Sequence, residues 1–277
     1  MHEAERGETV RAIARAGDPN RALAALFAPR DARADLFALY AFNVELARVA
    51  EKTTEPDLGA IKLQWWREAI EKVTSGQATG QPVADAFGEM VRRRALAPER
   101  IAALIDARAF DMAPRIMPDV ASLEAYLRDT AGTLFALSAS ILGVQDGVVE
   151  PPARAAGLAY GLTGLIRALP VHAASGRLYL PADALRRHGT SPEQVLAGKT
   201  SQGLHEALAE LRATARETLE EAERHVEKLD APARTAFLPL ALVKPYLAAL
   251  EMSGRDPLRD IAGINPLYRL WRLARGF

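Results

Sequence analysis

The chain has 277 residues, 49% of them hydrophobic, with 35 lysines and arginines balanced against 35 aspartates and glutamates. That length is large for one domain but within reach of an all-helical one, and the apolar content is ample for a sizeable core. Zero formal net charge argues against a nucleic-acid binder, and the absence of cysteine excludes disulfides, thiolate metal sites, cysteine nucleophiles and iron–sulfur clusters.

In chain order, the N-terminus from Met1 and His2 to Arg6 is charged and lacks the apolar core of a secretory signal. Asp31 and Asp35 stand four residues apart, so a helix would carry both carboxylates on one face. Mg²⁺-diphosphate enzymes use that geometry, but Pro29 just upstream favours a helix start, where carboxylates complement the macrodipole. The apolar spacing then predicts helices over Asp31–Lys52, Leu58–Val73, Val83–Arg94, Glu99–Met112, Leu123–Leu142, Ala153–Leu169, Gln202–Leu229 and Ala233–Met252. In the first of these, Leu36, Leu39, Tyr40, Val44 and Ala47 recur at intervals of three and four. Trp65 and Trp66 are adjacent and must point to different sides of their helix, with at least one in the core. The basic run Arg92, Arg93 and Arg94 ends a helix, where it complements the dipole.

Turn chemistry separates these segments: Thr54-Glu55-Pro56-Asp57, Ser75-Gly76-Gln77, Ala97-Pro98, Met117-Pro118-Asp119, Glu150-Pro151-Pro152 and Ser253-Gly254. Asp57 and Ser122 stand where N-caps are wanted. Only Leu178 to Pro181 reads as extended. No stretch reaches the ~18 uncharged apolar residues of a membrane span. The strongest candidate, Ala236 to Leu250, is broken by Pro239, Lys244 and Pro245, so the chain is expected to be soluble. About ten helices in a single domain, residues 1–277, is the coarse expectation. The five histidines lack ligand spacing, and phosphate loops, HExxH and nucleophile elbows are absent.

Three stretches together resemble the squalene/phytoene synthase family. LFALYAFNVELARVAE, Leu36–Glu51, is similar to the helix that carries an acidic DDxxD-like run in the enzymes. LQWWR, Leu63–Arg67, followed by Gln81-Pro82-Val83, is similar to the family's WWR and its later His-Pro-Val. LTGLIRALPVHAASGRLYLP, Leu162–Pro181, is the most specific: Arg167, Gly176, Arg177, Tyr179, Leu180 and Pro181 match the family's spacing without a gap. The resemblance covers roughly residues 20–250. It implies an all-α, isoprenoid-synthase-type helical bundle around a central cavity. In the enzymes, Mg²⁺ held by helix carboxylates neutralises a departing diphosphate during head-to-head condensation of two prenyl diphosphates.

This chain departs from the pattern at the acidic positions. Ala47 and Arg48 replace the leading aspartates of the first motif and Glu51 keeps its third acid. Ala168 replaces the aspartate after the arginine of the second motif, and Val171 and His172 replace its Glu-Asp pair. Asp31 and Asp35 lie about three to four turns away on the same helix and cannot stand in. The replacement residues, AFNVELA and LIRALPVH, with Asn265-Pro266-Leu267-Tyr268 and Trp271-Arg272 near the C-terminus, resemble a non-catalytic branch of the family. That branch comprises the mitochondrial assembly factors of respiratory complex I and their bacterial relatives, and the lack of a mitochondrial presequence fits the bacterial side.

The leading expectation is therefore a catalytically degenerate protein with no catalytic residue, metal or cofactor. It would serve as an assembly or accessory factor for NADH:quinone oxidoreductase, with a respiratory-complex subunit or assembly intermediate as partner. A lipid or isoprenoid carrier, keeping the apolar cavity, is compatible with it. The alternative is an active head-to-head prenyl transferase, which alone would need Mg²⁺. The pocket candidates are Tyr40, Asn43, Glu51, Arg167, His172, Arg177 and Tyr179, with Ala47, Glu51, Ala168 and His172 expected to face one cavity. The expected location is the cytoplasm, with peripheral contact at the inner membrane.

Overall fold

The computed structural model describes residues 3–52, 55–112 and 115–276; Met1 and His2 of the N-terminal reading and Thr54 of the first turn lie outside them. The described residues form sixteen α-helices. They are α1 Glu3–Gly17, α2 Pro19–Ala24, α3 Arg30–Glu51, α4 Pro56–Thr74, α5 Pro82–Arg94, α6 Pro98–Ala107, α7 Val120–Leu127 and α8 Thr133–Ile141. There follow α9 Asp146–Arg167, α10 Leu169–Ala174, α11 Ala182–Arg187, α12 Pro192–Leu196, α13 Gln202–Val226, α14 Ala231–Arg234, α15 Val243–Leu250 and α16 Pro266–Arg275. No strand occurs among the described residues, so the chain is all-α, as expected; one isolated parallel bridge joins Ile116 to Leu178.

Several boundaries differ from the sequence reading for local reasons. Leu123–Leu142 is two helices, α7 and α8, joined by a π-helical turn at Arg128–Gly132. Ala233–Met252 opens as the single turn α14, continues in 3₁₀ form over Thr235–Leu242 around Pro239, and becomes α15 only at Val243. Glu150-Pro151-Pro152 is not a break: α9 runs through both prolines. The caps lie upstream of Asp57 and Ser122. Glu55 is the N-cap of α4, with Pro56 at the first helical position. Asp119 caps α7 by accepting the Ser122 amide at 2.7 Å.

The chain divides into two compact units, each assembled from three segments. The first comprises Met1–Ala113, Thr133–Glu150 and Glu227–Pro239. Its axis is α3, which is buried on most sides because its apolar residues exceed one stripe: Leu36, Leu39, Phe42 and Leu46 are at most 1% exposed. Phe42 stacks on Phe87 of α5 at 4.0 Å between centroids and meets the edge of Trp66 of α4 at 5.5 Å. Trp66 is thus the core tryptophan, and Trp65 is exposed. Burying side chains of this size is worth about 1.5–3 kcal/mol each.

Asp35 is buried and does more than complement the start of α3. It pairs with Arg93, and with the Arg94 Nε at 2.7 Å, so two arginines of the basic run at the end of α5 reach back to it. Gln81, in the place of the family's histidine, caps α5 by accepting the Ala84 amide at 2.5 Å.

The second unit comprises Pro114–Gly132, Pro151–Val226 and Leu240–Phe277. The π-helical turn and α9 approach closely within it: a Cβ on Gly157 would lie 2.5 Å from the backbone of Gly132. Only glycine permits that approach. The segment that reads as extended from sequence runs beside residues 115–118. The Leu178 amide donates to the Arg115 carbonyl at 3.0 Å, and the Met117 amide returns to the Leu178 carbonyl at 2.8 Å. Gly176, at φ 72°, supplies the left-handed turn that enters this segment.

Candidate functional site

In the first unit the candidates lie along the second half of α3. Asn43, Ala47 and Glu51 follow at intervals of four, so they share one face of the helix. That face runs from core to surface: Asn43 is buried, Ala47 half-buried and Glu51 exposed. Tyr40 sits deeper, with its hydroxyl 3.1 Å from Ser138 Oγ on α8. Ser138 spends its one proton on the Leu134 carbonyl at 2.7 Å, so Tyr40 is the donor. Burial raises the Tyr40 pKa, and the phenol stays neutral as a helix-to-helix tie.

Asn43 has a specific partner. Its Oδ1 accepts from Arg108 Nη2 at 2.7 Å, and Arg108 Nη1 pairs with Asp111 Oδ2 at 3.1 Å. The AFNVELA asparagine thereby docks α3 onto the 3₁₀ turn at Arg108–Met112. Arg48, at a former aspartate position, lies half-buried and pairs with Glu45 at 2.8 Å.

In the second unit the candidates lie at the end of α9 and in the segment after it. The Arg167 guanidinium lies 3.7 Å from the Tyr246 ring centroid, a close cation–π contact, and its Nε donates to the Ala262 carbonyl at 3.1 Å. Arg167 therefore ties α9 to α15 and to the stretch before α16. Ala168 is half-buried at the junction with α10, Val171 is exposed, and His172 sits half-buried on α10. The His172 ring lies 4.7 Å from that of Tyr179, which lies 5.4 Å from that of Tyr126 on α7. The Arg177 amide closes the turn by donating to the His172 carbonyl at 2.9 Å. His172, Arg177 and Tyr179 are thus one cluster, joined by Tyr126.

Sequence reasoning missed Arg108, Asp111, Tyr126 and Tyr246, the partners of these residues. Arg108 and Asp111 stand three apart, a helical pairing distance, but nothing in the sequence connects them to Asn43.

At the six positions that the resemblance assigns to metal ligation, Glu51 offers the one carboxylate. Ala47, Ala168 and Val171 offer no side-chain donor, Arg48 brings a cation, and His172 a nitrogen. Mg²⁺ takes oxygen ligands in near-octahedral geometry, so this donor set does not fit it. Among the described residues no group of three or more histidine, aspartate or glutamate side chains could hold a metal ion. Nor is any helix among them long and apolar enough to cross a membrane.

The chain is similar both to proteins named for complex I assembly and to prenyl synthases. The bovine (Bos taurus) protein named NADH dehydrogenase (ubiquinone) complex I, assembly factor 6, is 29% identical over 234 residues, spanning 84% of this chain and 70% of its own length. Presqualene diphosphate synthase of Zymomonas mobilis is 28% identical over 262 residues, spanning 89% of this chain and 85% of its own. The crystal structure of squalene synthase HpnC from Alicyclobacillus acidocaldarius aligns with a TM-score of 0.78 at 22% identity, over 89% of this chain and 93% of that one. That likeness identifies the helical isoprenoid-synthase fold. The sequence model of squalene/phytoene synthases matches residues 14–272, and the chain belongs to the squalene/phytoene synthase family.

Proposed function

We propose that this protein is an assembly or accessory factor for NADH:quinone oxidoreductase, respiratory complex I, and that it does not perform head-to-head prenyl transfer. One observation carries the reading. Five of the six former metal positions, Ala47, Arg48, Ala168, Val171 and His172, lack a carboxylate, in a chain similar to proteins named for complex I assembly. A diphosphate leaving group would find one acid where the enzymes place six, and losing a single well-placed electrostatic group already costs ~10²–10³ in rate.

In this reading residues 1–277 act as one domain. The first unit offers Tyr40, Asn43, Ala47 and Glu51 to this role, and the second unit offers Arg167, Ala168, His172, Arg177 and Tyr179. The partner is a complex subunit or an assembly intermediate, and the neutral and basic groups left at the former metal positions suit a partner segment or a lipid or isoprenoid head group. The site of action is the cytoplasmic side of the inner membrane, reached peripherally.

Deleting the gene is expected to lower assembled NADH:quinone oxidoreductase on native gels and NADH-dehydrogenase activity in membranes, with isoprenoid levels unchanged. Normal complex levels with loss of a hopanoid or carotenoid product would overturn the proposal. A second reading, prenyl transfer, is favoured by the similarity to presqualene diphosphate synthase. Incubation with farnesyl or geranylgeranyl diphosphate and Mg²⁺ decides it: product above a no-protein control, abolished by Glu51→Ala, would establish transfer.

A further inference from the structure

The helix α16, sequence PLYRLWRLAR, is amphipathic, but its apolar face points away from the protein. Leu267, Leu270, Trp271 and Ala274 follow the i, i+3, i+4, i+7 pattern of a single face. All four are exposed, Leu267 at 77% and Trp271 at 48%. On the inward side Leu273 is 1% exposed, and Arg272 Nε donates to the Ala241 carbonyl at 3.1 Å. Asn265 caps the helix through the Leu267 amide at 2.8 Å, so the helix is formed and held in this orientation. A surface helix of a soluble protein normally buries its apolar stripe; this one buries one leucine and offers two leucines and a tryptophan to the outside.

Its charge indicates what covers that face. Residues 261–277 contain Arg269, Arg272 and Arg275 and no aspartate or glutamate. Arg275 lies at the edge of the face with its guanidinium 5.4 Å from the Trp271 ring, and Tyr268 stacks on Trp271 at 5.7 Å. Leucine and tryptophan outward, with tyrosine and arginine along the rim, is the composition of a helix lying in a lipid interface. A second copy fits less well. A two-fold interface would set this patch against itself, arginine facing arginine with no local carboxylate between. A ten-residue helix about 15 Å long and 10 Å across also falls far short of the ~800 Å² per partner that a stable interface buries.

We infer that α16 docks this protein in-plane on an anionic lipid surface, with Leu267, Leu270 and Trp271 entering the headgroup–acyl boundary and Arg275 meeting lipid phosphate. The inference goes beyond the assembly reading and does not depend on it. The test is flotation of the full chain with vesicles of phosphatidylcholine alone and of phosphatidylcholine with phosphatidylglycerol. Wild type is expected to float with the anionic vesicles, and less so as salt rises. Leu267→Glu with Trp271→Glu should cut partitioning by at least about tenfold without changing the melting temperature, since both side chains are exposed. Arg275→Glu should weaken binding to anionic vesicles only. Ile61→Glu, at an exposed apolar residue of α4, should bind as wild type does. Failure of wild type to float, equal flotation of the double variant, or equal loss in Ile61→Glu would overturn the inference. So would a self-association that the double variant abolishes while lipid binding is absent.

Discussion

Replacing Asn43 separates a structural asparagine from one that serves a partner directly. In Asn43→Leu the side chain keeps its approximate volume but loses the oxygen that accepts from Arg108 Nη2 at 2.7 Å. The acceptor is buried and the donor is a guanidinium whose side chain is 11% exposed. A hydrogen bond to a charged group contributes about 1.5–3 kcal/mol, and the apolar replacement cannot return it. For a chain of this size each kcal/mol corresponds to about 2–4 °C, so the melting temperature should fall by about 3–12 °C. Asn43→Asp keeps an acceptor toward Arg108 and should recover part of that loss, reduced by repulsion from Asp111. Thermal unfolding followed by circular dichroism, beside native-gel quantification of the assembled complex, makes the test. An Asn43→Leu protein that melts with wild type yet fails in assembly would refute the docking role of Asn43.

Two glycines of α9 should respond in opposite directions to the same substitution. Gly157→Ala puts a Cβ 2.5 Å from the backbone of Gly132 and should destabilise by about 1–3 kcal/mol through overpacking. Gly164→Ala meets nothing within 4 Å and should stabilise by about 0.5–1 kcal/mol; urea midpoints of the two variants measure both. Asp85 yields a pH prediction. Burial works against its charged form, but the Thr79 hydroxyl at 2.6 Å and the Thr79 and Gly80 amides at 2.7 and 3.0 Å outweigh it, so its pKa lies below the usual carboxylate range. That depression contributes stability present above the unfolded-state pKa and lost as pH falls through the lowered folded value. Asp85→Asn should therefore be less stable than wild type near neutral pH, with the gap in denaturant midpoint closing in acid; a gap independent of pH would contradict the assignment.

The helical class, the main helical segments and the family were legible in the sequence because they rest on near-neighbour patterns. Three- and four-residue periodicity marks a helix whatever it packs against, and the run from Arg167 to Pro181 encodes a local turn, with Gly176 at positive φ, that needs no distant partner to be recognised. The loss of carboxylates at positions 47, 48, 168, 171 and 172 was equally plain, since it is a statement about residue types. Tertiary structure decided what those side chains do instead. Asp35 and the arginines at 93 and 94 are almost sixty residues apart in sequence, yet the packing of α3 on α5 makes them one ion-pair cluster. Asn43 acquires Arg108 and Arg167 acquires Tyr246 in the same way. The outward turn of α16 was also beyond the sequence, where an amphipathic pattern marks two faces of a helix but carries no sign for which is inside. That sign is set by which neighbour buries Leu273 and which carbonyl receives Arg272, and both are contacts that exist only once the chain has folded.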